Sequence, residues 1–140
     1  MRRRQFLRMA AIMAAAGSLG HLVPLRPAFA SADAAALADR LLGVHGDPTS
    51  ASVIGKALLK EMPVRPDLDH VVRVLMHRLD LSLLQHSALS PADLPPTDLR
   101  ARLKGKTSED FRLGQTTKVH GWVLGETEAW LCSLAALRIG

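Results

Sequence analysis

The sequence predicts a small all-α domain, a bundle of four or five short helices that follows an N-terminal export signal. Three observations point there. The chain has 140 residues, the length of one ordinary domain. Hydrophobic residues make up 48% and charged residues 22%, a globular balance. Beyond residue 30, apolar positions recur at spacings of three and four, between breaks made by Gly and Pro. The expected division is residues 1–30 as signal and 31–140 as one helical domain.

The first 30 residues fall into three parts. A basic head runs from Arg2 to Arg8, and an Ala-, Met- and Gly-rich apolar stretch follows to about Leu25. Ala28-Phe29-Ala30 then forms a small-residue site before Ser31, which predicts cleavage between Ala30 and Ser31. The apolar stretch is interrupted by Gly17, Gly20, His21 and Pro24. It falls short of the ~20 continuous apolar residues of a spanning helix.

Residues 31–44 read as the first helix, with Leu37, Leu41, Leu42 and Val44 on its apolar side, ending at Gly43 or Gly46. After the turn Gly46-Asp47-Pro48, Thr49 or Ser50 is the expected cap of a second helix over about 51–62. Its stripe is Val53, Ile54, Ala57, Leu58 and Met62.

Asp67 is the expected N-cap of the longest helix, roughly 68–88. That helix carries a main arc (Leu68, Val71, Val72, Leu75, Met76, Leu79, Leu83). A second stripe holds His70, Val74, His77, Leu81 and Leu84. An element apolar on two sides is buried on two sides. Either it is a central helix surrounded by the others, or Val74, His77, Leu81 and Leu84 dock on a partner.

Pro91, Pro95 and Pro96 mark a loop. Thr97 caps a short helix from Asp98 to Lys104 that Gly105 ends. Ser108 is read as a further cap, opening a helical turn with Glu109, Asp110 and Phe111. Val119–Leu124 is read as a brief strand or an extended segment. Gly125 opens the last helix, whose first turn holds Glu126 and Glu128 and whose buried side holds Trp130, Leu131, Leu134, Ala135 and Leu137.

The formal charge of +5 suggests a nucleic-acid or membrane partner until the charges are placed. Arg2, Arg3, Arg4, Arg8 and Arg26 all precede Ser31. The thirteen basic residues that remain equal the thirteen acidic ones. The body is formally neutral, so nucleic acid is not an expected partner, and membrane contact is expected only during export.

Familiar catalytic patterns are missing. There is no C-x-x-C or C-x-x-C-H, no Gly-rich dinucleotide fingerprint, no G-x-S-x-G and no H-E-x-x-H. Cys132, the one cysteine, lies in an apolar helical run and reads as a small buried hydrophobe. His70 and His77 stand two helical turns apart, about 10 Å, too far for one ion, and His86 points elsewhere. A metal site would need separate segments, such as His45 and His120 with an Asp. The carboxylate pairs Asp67/Asp69, Glu109/Asp110 and Glu126/Glu128 each read as first-turn helix residues, where capping and the dipole account for them. The segment Lys118–Glu128 concentrates a Trp, two Gly and a helix start. Gly121 suggests a close backbone approach, and Trp122 either staples the last helix or anchors a partner. No catalytic, cofactor-binding or metal residue is expected.

The basic head Arg3-Arg4-Gln5-Phe6-Leu7-Arg8 resembles the twin-arginine motif, with Arg3, Arg4, Phe6 and Leu7 at its defining positions. Arg2 stands where Ser or Thr is usual, and Arg8 where Lys is. That resemblance implies passage of an already folded protein through the twin-arginine translocase into the periplasm.

Two further segments carry a resemblance. The stretch from Leu41-Leu42-Gly43-Val44-His45-Gly46-Asp47 to Val53-Ile54-Gly55-Lys56-Ala57-Leu58-Leu59 is similar to the front of the small subunits of bacterial FAD-dependent sugar and polyol dehydrogenases (fructose, sorbitol and glucose dehydrogenases). Asp110-Phe111, Gly121-Trp122-Val123-Leu124 and Thr127-Glu128-Ala129-Trp130-Leu131-Cys132 resemble a recurring ending of small twin-arginine-signal proteins. The resemblance implies a subunit without cofactor or catalytic residues, which carries the export signal for a larger flavoprotein dehydrogenase subunit that holds the FAD. The alternative is a free-standing periplasmic binding or metal-dependent module.

Overall fold

In the computed structural model, described over residues 31–86 and 90–140, the chain is mostly helical, with five α-helices, two short 3-10 turns and one small hairpin. The side chains of Ser31, Leu83, Gln85 and His86 are not among the described ones. Arg3, Arg4, Phe6, Leu7, Ala28 and Ala30 also lie outside the described residues. No described helix is long and apolar enough to cross a membrane.

Helix α1 spans Ser31–His45 and α2 spans Pro48–Glu61. Gly46, at φ +104°, makes the break between them. The cap of α2 is Asp47 and not Thr49 or Ser50. Its carboxylate accepts from the backbone N–H groups of both, at 3.1 Å each, and Pro48 takes the first helical position, where a missing N–H costs nothing. The bonds to Ser50 and Thr49 hold the Asp47 carboxyl below its ordinary value.

Helix α3 covers Leu68–Arg78, and Asp67 caps it as expected, accepting from the His70 N–H at 2.7 Å. It does not continue to residue 88. Asp80 adopts φ +56°, and the chain tightens into a 3-10 segment, Leu81–His86. A left-handed residue ends an α-helix whatever the apolar spacing beyond it.

A 3-10 turn at Pro91–Asp93 precedes α4, which runs from Pro96 to Arg112. Gly105 does not end α4; it lies inside, with open space around it. Ser108, Glu109 and Asp110 therefore sit in the last turns of one long helix and not at the start of a new one. Strands β1 (Thr116–Val119) and β2 (Trp122–Gly125) form an antiparallel hairpin, and α5 (Glu126–Ile139) closes the chain.

The central helix is α5. Every residue from Ala129 to Ala136 is buried, and α5 packs against each of the other four α-helices, most extensively α2. This follows from its sequence: from Ala129 to Leu137 only Ser133 is polar, and its hydroxyl donates back to the Ala129 carbonyl at 3.0 Å. The α2–α5 contact is made close by small residues. A Cβ on Gly55 would stand 1.8 Å from the Cys132 carbonyl oxygen. The remaining core comes from Leu37 and Leu41 of α1, Val71, Val72 and Leu75 of α3, and Leu99 of α4. At the surface, Arg138 of α5 grips Asp39 of α1 through two hydrogen bonds, 2.8 and 2.9 Å long, lowering the Asp39 pKa and raising that of Arg138. Exposed pairs of this kind add little to stability.

Candidate functional site: the hairpin and the polar node beneath it

The hairpin is tight because its turn residues permit it. His120 and Gly121 have φ +48° and +83°, the signs of a two-residue type I′ turn, whose twist matches that of paired strands. Gly121 is thus required by its backbone angle and not by a close neighbour, since nothing lies within 4 Å of an added Cβ.

The register pairs Val119 with Trp122 and Thr117 with Leu124. Directly opposed and alternate residues share a face. Val119, Leu124 and Trp122 therefore belong to the same side of the ribbon. Val119 and Leu124 are buried there, yet Trp122 is 63% exposed. The largest side chain on the ribbon's inward face is thus the one left mostly to solvent. Val123, Phe111 and Leu113 add exposed apolar surface on the hairpin and in the turn that leads into it.

A buried polar node fixes the foot of this hairpin. Asp110, near the end of α4, is fully buried. One carboxylate oxygen accepts from the Thr127 N–H at 2.7 Å, so Asp110 caps α5 from another helix. The other oxygen meets the Arg78 guanidinium at 2.8 Å. Arg78, at the end of α3, also donates to the Thr127 hydroxyl at 3.0 Å and pairs with Glu126 at 3.2 Å. The Asp110 carbonyl accepts from the Gln115 N–H (2.8 Å), and the Gln115 carbonyl from the Glu126 N–H (2.9 Å). Three helices meet at the Asp110 carboxylate and its backbone carbonyl holds the segment that enters the hairpin.

This node is absent from the sequence-based reading, which takes Asp110 for a first-turn residue. The signals that point to it are weak: a Thr at the start of an apolar helix, and a Gly125 cap that brings no side-chain acceptor of its own. Their partner lies 17 residues upstream.

The predicted docking residues separate. Leu81 is fully buried and belongs to the core, while Val74 and Leu84 are partly buried against it. His77 and Trp122 are exposed. The second stripe thus goes mostly into the body, because the helix that would have displayed it stops at Arg78.

The histidines are dispersed. His70 lies beside Trp130 with ring centroids 6.2 Å apart, His45 is half-buried at the end of α1, and His120 is in the exposed turn. Among the described residues, no group of three or more His, Cys, Asp or Glu side chains could hold a metal ion. Cys132 is buried, and burial pushes its thiol up to about 12, with the Glu128 charge adding to the shift. It is held as the unreactive thiol at neutral pH.

Compared with known protein families, curated proteins and solved structures, the chain shows no match.

Proposed function

We propose that this chain is a non-catalytic accessory subunit of an exported flavin-dependent dehydrogenase. It binds the larger flavoprotein subunit, carries the twin-arginine signal for the complex, and remains bound in the periplasm. The FAD belongs to the partner. The translocase is a second, transient partner.

The observation that carries this reading is the exposed Trp122 on the inward face of a hairpin held rigid at its foot. Covering an aromatic side chain of this kind removes about 150–250 Å² from water. Tryptophans in such positions are the commonest energetic anchors of interfaces. A rigid mount matters because less ordering entropy is then lost on docking. The twin-arginine resemblance supports the escort role, since that route moves proteins already folded.

The test is co-purification. A tagged chain recovered from the exported fraction is expected to bring down a larger polypeptide with flavin absorbance. Trp122→Ala is expected to weaken the association about 30-fold, in keeping with a hot spot of ~2 kcal/mol, with an unchanged melting temperature. Recovery of the chain alone, or an association indifferent to Trp122→Ala, would contradict the reading.

A further inference from the structure

The predicted scissile bond joins Ala30 to Ser31, and the chain is already helical at Ser31. Only Ser31, Ala32 and Asp33 separate that bond from the first core residue. Ala34 is 1% exposed, and Leu37 and Ala38 behind it are fully buried.

The helix and a protease compete for these three residues. A protease cleft takes its substrate as an extended strand and pairs with its backbone N–H and C=O groups. The N–H groups of a first helical turn are free for that purpose. The carbonyls are not: in a helix from Ser31, those of Ser31, Ala32 and Asp33 accept the first intrahelical bonds. Coiled, the three residues hold the bond about 4.5 Å along the axis from Ala34. Extended, they hold it about 10 Å away. The extended form alone gives a cleft room between the bond and the core.

The same residues are lightly held. Ala32 and Asp33 are exposed, and the Asp33 carboxylate makes no ion pair among the described residues. A helix end without buried side chains opens at a small fraction of the global stability. Ala34 stops the fraying, because unwinding past it takes a core residue into water.

We propose that the first turn of α1 controls removal of the export signal. Ser31–Asp33 unwind together, the Ala30–Ser31 bond is hydrolysed only in that opened form, and Ala34 marks where unwinding ends. Hydrolysis adds one water across the bond, leaving a carboxylate on Ala30 and an amine on Ser31. Once protonated, that amine stands at the positive end of α1 and opposes re-forming of the turn. Where opening is fast relative to cleavage, the rate follows the population of the open form. The folded body therefore slows the loss of its own signal. The inference rests on the signal reading and not on the flavoprotein partner.

The test uses the full 140-residue chain in detergent, with a purified signal peptidase of Ala-x-Ala specificity and intact mass as the readout. A second chain carries six Gly and Ser residues inserted between Asp33 and Ala34, so the residues entering the cleft are unchanged and only their tether to the core is longer. It is expected to be cut about tenfold faster. Ala32→Gly, which weakens the turn, should speed cleavage of the parent chain about fourfold and leave the inserted chain unaffected. If the insertion lowers the melting temperature, Ala32→Gly decides. Equal rates for the parent and inserted chains overturn the inference, as does an Ala32→Gly effect of the same size in both, which places it in the cleft. Both of those results leave the escort reading standing. A chain cut in neither form removes the cleavage site and the inference with it.

Discussion

Asp110→Ala lowers the stability of the domain by about 3–5 kcal/mol, the range for breaking a buried ion pair from one side. The change strips α5 of the side-chain acceptor that caps it and leaves the Thr127 N–H buried without that acceptor. Arg78 keeps Glu126 and the Thr127 hydroxyl, but loses the carboxylate at 2.8 Å. In a domain this small, each kcal/mol is worth several degrees of melting temperature, so a fall of more than ~10 °C is expected. Asp110→Asn keeps the volume and one acceptor but sets an amide donor against Arg78 or Thr127, and should lose about half as much. Urea titration followed by far-UV circular dichroism measures both. A loss below about 1 kcal/mol for the alanine variant would show that the node does not hold the hairpin's foot.

The second large effect is at Gly55, and its sign opposes helix propensity. Gly→Ala within a helix ordinarily gains up to about 1 kcal/mol. At Gly55 the added methyl would meet the Cys132 carbonyl oxygen at 1.8 Å and its carbon at 2.4 Å. Both are backbone atoms, so no side chain can turn aside, and α2 and α5 must move apart along the most extensive contact in the domain. Overpacking of this kind costs ~1–3 kcal/mol, occasionally more, and the net expectation is a loss of ~2 kcal/mol. Gly105 is the internal control. It is also helical but in open space, and Gly105→Ala should stabilise by about 0.5–1 kcal/mol. Thermal melts of the two variants should move in opposite directions; equal shifts would mean that α2 and α5 are not in close contact.

Much of the helical content is legible locally. Asp67 and Gly125 take the cap positions their sequences suggest, and Gly46 breaks the chain where a glycine before Asp-Pro should. The apolar C-terminal run is a buried helix because it has almost no polar side to expose. What escapes sequence reasoning depends on distant parts of the chain. The Val74–Leu84 stripe keeps its spacing beyond Arg78, but Asp80 turns left-handed and Leu81 drops into the core. Gly105 looks like a stop and is carried through; beyond it α4 buries Asp110, whose carboxylate holds the Thr127 N–H and Arg78. The hairpin was partly visible, as an extended piece around Gly121. The exposure of Trp122 is not legible there, because it depends on how the ribbon packs on the rest of the chain and not on the residues beside it.

If this body is the proposed escort, its export carries a larger subunit with it, and blocking the signal strands both. Cells carrying the Arg3→Lys/Arg4→Lys chain, with the folded domain untouched, are fractionated, and the flavin-containing partner is followed through cytoplasm and periplasm. Both proteins should remain in the cytoplasm, still associated. A partner that reaches the periplasm without this chain, or a stranded chain with nothing bound to it, would contradict the account.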